Sequence, residues 1–310
     1  MTSFLQIDFP GLLAASLAAL SCSLVGNFLV LTRRAMLSDA LSHVMLPGVL
    51  GAFLITGSTA ILAMLAGGVA AALVAVGLVA FLTRTLKVDA SAALGVVFTT
   101  LFAAGVLTME QTGVARTAFD VHHVITGSLE ALIWPGARGW VSLVSFQDWA
   151  ELPRAVGRLA VILAFVAAII ALAAKELALV AFDPAFARAS GLPVAALDLL
   201  LLVATALASV AAFESVGIVL AVAMIVCPPA TARLLTDRLP QQIAVSAAIA
   251  LACVLLGYAI AVLGPGAFGS GIALNAAGMM GAVSGALLGG AAFVRSRRMR
   301  AIRVGPALSS

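Results

Sequence analysis

The sequence predicts an all-α polytopic membrane protein, folded as a bundle of about eight to nine transmembrane helices. The composition is the first reason: 63% of the 310 residues are hydrophobic and only 10% are charged, whereas a soluble domain carries about 25% charged residues. The second reason is that the apolar residues form runs of about 20, the length that crosses a bilayer as a helix. Lipid is therefore the expected solvent for most of the chain.

Nine apolar runs are the candidate spans, at residues 10–31, 36–55, 59–82, 90–109, 156–174, 194–212, 216–234, 243–263 and 272–294. The second run and the region 209–217 are the least regular, so the count is eight or nine, and higher if the segment after Met109 re-enters the membrane. We expect Pro47 with Gly48, and the pair Pro228 and Pro229, to interrupt their helices, because proline removes a backbone donor. Residues 1–294 form the predicted transmembrane domain.

Basic residues predict the orientation of the bundle, because cytoplasmic loops carry an excess of Lys and Arg. Alternation of the nine spans places four basic segments on one side, which we take as cytoplasmic, and leaves the N-terminus outside. The last segment, 295–310, is a predicted basic cytoplasmic tail. The basic residues on that side are Arg84, Lys87, Arg188, Arg233, Arg238, Arg295, Arg297, Arg298, Arg300 and Arg303.

The segment 33–48 carries the most informative polar residues. Asp39 and His43 are four residues apart, which places a carboxylate and an imidazole on one face of a helix. Both are ligand types for divalent metal ions, and ionisable groups in an apolar segment usually face a cavity or a partner. Two ligands suffice for a transit site only. The alternative is that Asp39 caps the helix and His43 is a hydrogen-bonded core histidine.

A short amphipathic segment, 183–193, separates two long apolar runs. Asp183 is the predicted N-cap of a short helix with Pro184 at its first position, and Gly191 with Pro193 ends it. A cytoplasmic helix of this kind either docks a partner or is an ordinary connection between spans.

Four further residues are weaker metal-ligand candidates. Glu214 interrupts an apolar run, where it either lines a transport path or lies at an outer interface. Cys227 is either a soft ligand or a packing residue. His122 and His123 lie in the long outer segment 110–154, where they either receive metal or belong to the surface, and adjacent histidines point about 100° apart on a helix.

Three motifs in register carry a resemblance to a known family. They are an arginine-rich turn followed by Ser-Asp-Ala-Leu-Ser-His…Leu-Pro-Gly at 38–48, Asp-Pro-x-Phe-Ala-Arg-x-x-Gly-Leu-Pro at 183–193, and Val-Gly-x-x-Leu-x-x-Ala…Pro-x-Ala-Thr-Ala-Arg at 216–233. Together they resemble the permeases of metal-ion ABC importers, the zinc, manganese and iron uptake family. The resemblance runs from about Gly26 to Phe293. Glu214, Cys227 and the longer outer loop depart from the family pattern and leave the identity of the metal open.

The resemblance implies roles for residues and partners. Asp39 and His43 would contact the metal, and a coupling helix would fit a cleft of an ATPase subunit. The expected cargo is zinc or manganese, with iron as a third candidate, and no permanently bound cofactor is expected. The implied partners are an ATP-binding subunit, an extracytoplasmic metal-binding protein and a second permease copy or paralogue, in the bacterial inner membrane. The implied coupling-helix residues are Asp183, Pro184, Phe186, Ala187, Arg188 and Gly191.

Two rival functions stay open on the sequence. One is an ABC permease for iron–siderophore or cobalamin, which would share the coupling helix and the Gly127–Ser128 stretch but would need a wide pore without an Asp/His pair. The other is an ion-coupled secondary transporter, which would need no ATPase partner. The sequence has no GxxxxGK[ST] phosphate loop, so we expect the chain not to be an enzyme and ATP hydrolysis to occur on a separate subunit.

Overall fold

The computed structural model describes residues 4–58, 60–112, 129, 132–136, 149, 151–267 and 274–304, and these residues contain helices and no β-strand. A π-helical turn, Phe4–Asp8, precedes the first helix. The helices are α1 (Phe9–Leu31), α2 (Ala35–Thr56), α3 (Ile61–Thr85), α4 (Ala90–Thr112), α5 (Arg154–Phe182), α6 (Pro184–Ala189), α7 (Val194–Val216), α8 (Ile218–Leu235), α9 (Leu239–Ala267) and α10 (Ala276–Val304).

The predicted all-α membrane bundle is confirmed. Across the described ranges, 8 helices are long and apolar enough to cross a membrane, and the part of α2 from His43 to Thr56 adds a shorter apolar helix. Two helices continue beyond the predicted ends of their spans: α5 runs to Phe182, past residue 174, and α10 runs to Val304, past residue 294. The proposed boundary between transmembrane domain and basic tail therefore lies inside α10.

Helix α1 is the centre of the bundle and packs against α5, α7, α8 and α9. Two-thirds (67%) of its apolar stretch is buried. Between Gly11 and Ser23 the buried residues are small, among them Ala14, Ala15, Ala18, Ala19 and Cys22, and the larger Phe28 and Leu29 follow. Small side chains let helices approach closely in lipid, where packing replaces the hydrophobic effect as the driving force.

Helices α2, α3 and α4 form a second layer at the side of this core. Helix α3 packs on α7, and α2 packs on α8. Gly48 of α2 and Gly67 of α3 lie at the closest approach of their helices, because a Cβ on either glycine would collide with the backbone carbonyl of the other. Large apolar side chains on the outer face of α3, such as Leu62 and Phe81, are exposed.

The predicted break in α2 at Pro47 and Gly48 is wrong. Helix α2 runs without interruption from Ala35 to Thr56 with Pro47 inside it. Helix α4 packs closely at this point, since a Cβ on Gly105 would lie 3.0 Å from the side chain of Pro47. Neighbouring helices allow proline inside a membrane helix by enclosing the place where the backbone bond is missing.

The predicted break at Pro228 and Pro229 is also wrong, because both prolines lie inside the continuous helix α8. Pro229 has no N–H to donate to the carbonyl of Ile225. Gly26 of α1 packs directly against that carbonyl, so that a Cβ at this position would overlap it. The central helix thereby encloses the backbone that the prolines leave without a donor.

The predicted irregularity at 209–217 is found as a single residue, Gly217, between α7 and α8. Its φ of 83° and ψ of 166° lie in a region that is essentially confined to glycine. One residue therefore reverses the chain and joins two helices of the core.

The end of the bundle at which α1 begins is closed by the described part of the long connection after α4. Trp134 is fully buried, and its backbone N–H donates to the carbonyl of Gln6 at 2.8 Å. Its ring stacks on Phe9 at 6.0 Å and meets the edge of Trp149 at 6.5 Å. The connection is thus anchored on the N-terminal turn that precedes α1.

Candidate metal pathway and coupling helix

His43 is the metal-ligand candidate whose side chain the structure describes most fully. It lies on α2 nine residues after Arg34, which is about 13 Å along the helix axis. Its half-buried ring stacks on Phe98 of α4, with ring centroids 5.4 Å apart and planes at 18°, and meets the edge of Phe102 at 5.4 Å. The two phenylalanines fix the plane of the imidazole, which is a ligand suited to zinc, copper, iron and nickel.

Asp39 shares α2 with His43 one turn earlier, as the four-residue spacing predicts. Because α2 is continuous across both residues, they lie on one face of the helix. The side chain of Asp39 is outside the described part of the structure. A small apolar cavity lies beside the His43–Phe98 pair between α2, α3 and α4, lined by residues that include Ala40, Val44 and Val97.

The weaker candidates do not join His43 in a described cluster. Cys227 is a half-buried free thiol on α8. Glu214 belongs to the last turn of α7, and its side chain is outside the described residues, as are His122 and His123 altogether. Among the side chains that are described, no group of three or more His, Cys, Asp or Glu residues could hold a metal ion.

The predicted start of the short helix α6 is confirmed. The Asp183 carboxylate accepts hydrogen bonds from the backbone N–H groups of Ala185 at 3.1 Å and Phe186 at 2.9 Å. Pro184 occupies the first helical position, where its missing N–H costs no hydrogen bond.

The predicted end of α6 at Gly191 is also confirmed. The Leu192 N–H donates to the carbonyl of Ala187 at 3.1 Å, and the Gly191 N–H donates to that of Arg188 at 3.0 Å. This pair of bonds is a Schellman motif, and it requires the left-handed φ of 79° that Gly191 adopts.

The side chains of α6 divide between the bundle and solvent. Ala187 is fully buried and holds the helix against α5 and α7, whereas 58% of Phe186 is exposed, and Arg188 is exposed as well. An exposed aromatic residue beside an exposed arginine on a rigid short helix is typical of a protein–protein contact, since both residue types are enriched at interfaces.

Sequence reasoning missed a polar cluster inside the core. Asn27 of α1 donates to the Ser246 hydroxyl at 2.7 Å and to the Ser23 carbonyl at 2.8 Å, and it accepts from the Gln242 amide at 3.1 Å. All four residues are buried. The signal that could have identified it was an asparagine inside an apolar span, because buried amides require partners.

An ion pair at the end of the bundle that carries α6 was also missed. Arg34, between α1 and α2, contacts Asp198 of α7 with Nη1 and Oδ1 3.2 Å apart. Asp198 stands alone as a charged residue among the leucines of the span 194–212, and that isolation was the available signal.

The comparisons with known proteins agree with the fold and the motifs. The model of the ABC 3 transport family matches residues 4–133 and 153–284. The manganese transport system membrane protein MntD of Bacillus subtilis is 40% identical over 245 residues, which cover 78% of this chain and 79% of that protein. The manganese transport system membrane protein MntC of Halalkalibacterium halodurans is 35% identical over 275 residues, which cover 88% and 84%.

A solved structure, PsaBC from Streptococcus pneumoniae in complex with Fab, has the same fold. The TM-score is 0.74 at 24% sequence identity, over 93% of this chain and 92% of that chain. None of these findings favours the siderophore, cobalamin or secondary-transporter alternatives. The family match covers most of the chain, and the chain therefore belongs to the ABC 3 transport family as a membrane-spanning permease subunit of an ABC transporter.

Proposed function

We propose that this permease imports a divalent transition-metal ion, with Mn²⁺ as the first candidate and Zn²⁺ and iron as the others. The observation that carries the proposal is the 40% identity to a manganese transport system membrane protein over most of both chains. The continuous α2 supports it, because Asp39 and His43 are one turn apart on this helix.

Asp39 and His43 are the proposed transit ligands. A transported ion must be released, so a partial set of two protein ligands with water fits the task better than a closed cage of four. A second copy or a paralogue would add its own ligands on the path. The rings of Phe98 and Phe102 would hold the imidazole in one orientation while water and carrier ligands leave the ion.

Helix α6 is the proposed contact with a separate ATP-binding subunit. Phe186 and Arg188 would enter the partner, while the buried Ala187 and the two capped ends keep the helix rigid. An extracytoplasmic metal-binding protein would deliver the ion from the opposite side. The positive-inside rule supports a cytoplasmic position for α6 and the C-terminus, because the loops on that side carry the basic residues.

His43→Phe tests the metal ligand without removing the aromatic packing. We expect Mn²⁺ uptake by a deletion strain that carries this variant to fall at least ~10-fold, because the loss of even a residue that only orients a metal ligand usually costs 10- to 100-fold in metal affinity. The matched control is Leu54→Phe, which adds a phenylalanine at an exposed position of α2 and leaves the imidazole and its two aromatic neighbours unchanged. Uptake of Zn²⁺ and iron, measured separately, identifies the cargo, and unchanged uptake of all three in His43→Phe would remove His43 from the path.

Phe186→Ala tests the coupling helix. We expect this variant to lose capture of the ATP-binding subunit in a pull-down. Truncation of an aromatic side chain that is buried at the centre of an interface commonly costs ~2 kcal/mol or more of binding free energy. Phe182→Ala is the control: Phe182 is 60% exposed and precedes α6, outside the short helix. Equal loss in both variants would contradict a specific role for α6.

A further inference from the structure

The corner between α1 and α2 is held rigidly although it contains no glycine. The Arg34 N–H donates to the Leu29 carbonyl at 2.8 Å, and the Arg33 N–H donates to the Val30 carbonyl at 3.2 Å. These are the two bonds of a Schellman motif, with Arg33 in the left-handed position at a φ of 58°. The backbone of Arg34 is therefore fixed to the end of α1, and α2 begins at the next residue.

The side chain of Arg34 joins this corner to α7. Its Nη1 lies 3.2 Å from Oδ1 of Asp198, and its Nη2 donates to Oδ2 of the same carboxylate at 3.5 Å. A guanidinium that contacts a carboxylate through two nitrogen–oxygen pairs fixes the relative orientation of the two groups as well as their separation. The contact spans 164 residues of the sequence, so it exists only because the fold brings α2 and α7 together.

The connection from Asp198 back to α6 is short and hydrogen bonded. Helix α7 begins at Val194, directly after the Schellman motif that ends α6. Asp198 lies about 6 Å along α7 from its first residue. We therefore expect a displacement of α6 to move the Asp198 carboxylate together with it.

We propose that the Arg34–Asp198 ion pair transmits the movement of α6 to α2, the helix that carries Asp39 and His43. In this proposal Arg34 and Asp198 are positioning residues, because they act through α2 and α6 rather than on the metal itself. This inference rests on the proposed function, since it assigns the path between the two sites named there.

The solvent exposure of Arg34 and Asp198 allows an experiment to separate a role in transmitting movement from a role in stabilising the fold. The side chains are 51% and 32% exposed, and ion pairs in such surroundings contribute little to stability. Breaking the pair should therefore leave the fold and the capture of the ATP-binding subunit intact while it changes how much metal moves for each ATP.

The test is the amount of Mn²⁺ taken up per ATP hydrolysed by the complete complex in liposomes. We expect Arg34→Glu and Asp198→Arg each to lower this ratio about fivefold, the lower end of usual coupling between sites. The double charge reversal, Arg34→Glu with Asp198→Arg, should restore it. Arg33→Gln is the matched control, because Arg33 is the exposed neighbour at the same corner, and its ratio should not change.

Each outcome decides one question. If the unaltered complex takes up no Mn²⁺, the proposed function fails and the linkage with it. If the unaltered complex transports and Arg34→Glu keeps its ratio, only the linkage is wrong. If the double reversal assembles but does not regain the ratio, the two residues act separately and the linkage is overturned. Should the charge reversals fail to assemble, the neutral Arg34→Gln decides, and an unchanged ratio in it refutes the linkage.

Discussion

Asn27→Leu is expected to destabilise the bundle strongly although the substitution makes α1 more apolar. The change removes the bonds to Ser246 and Gln242 that join α1 to α9, each worth about 0.6 kcal/mol in a membrane protein. It also leaves the Gln242 amide without its acceptor at a fully buried position, which costs about 1–3 kcal/mol. The expected loss in free energy of unfolding is therefore about 2–4 kcal/mol.

The double variant Asn27→Leu with Gln242→Met should recover most of that loss. Replacement of both partners by apolar groups of similar shape is close to neutral, and it also removes the Gln242 Oε1, which has no hydrogen-bond partner among the described residues. The measurement is a denaturant titration of the protein in detergent micelles, followed by tryptophan fluorescence.

Ser16→Ala is the control for this cycle. Among the residues that the structure describes, the Ser16 hydroxyl bonds within α1 alone, to the Leu12 carbonyl at 2.7 Å, and such back-bonds do not stabilise helices. The reasoning would be refuted by an Asn27→Leu variant that loses less than ~0.5 kcal/mol. The reasoning would also be refuted if the separate losses of Asn27→Leu and Gln242→Met simply added up in the double variant.

Two further substitutions test the backbone of the core by the same titration. Gly217→Ala should lower the free energy of unfolding by about 1–3 kcal/mol, because Gly217 holds a backbone conformation that other residues avoid. The control Gly95→Ala has open space at its Cβ position and should be neutral or stabilising. Equal effects of the two substitutions would contradict backbone strain at Gly217. Gly67→Ala should cost a similar amount by forcing α3 away from the Gly48 carbonyl. The control is Gly77→Ala on the same helix, whose added Cβ meets no atom within 4 Å. A neutral Gly67→Ala would show that α2 and α3 can separate without cost.

The sequence supported the prediction of features that depend on neighbours in the chain. The α6 helix is the best example: Asp183 caps its start, and Gly191 supplies the left-handed turn at its end. Both effects act within five residues, so no knowledge of the tertiary structure was required. The placement of Asp39 and His43 on one helix face follows from their spacing in the same way, and their role in metal transport stays a prediction.

The predictions failed where a distant helix decides the outcome. Proline was expected to break α2 and α8, and it does so in neither. The compensating contacts come from Gly105 and Gly26, on helices that the local sequence does not identify. Intrinsic propensity predicts the strain of a proline and cannot predict the neighbour that encloses it.

Hydropathy and local capping chemistry by themselves determined that this protein crosses the membrane in about eight to nine helices and carries a short, capped helix between two of them. Only the tertiary structure decided which polar groups meet. The Asn27–Gln242 and Arg34–Asp198 contacts join residues 215 and 164 positions apart. Such pairs form because the small side chains of α1 let four helices pack closely around it, and that arrangement depends on the shapes of all five helices at once.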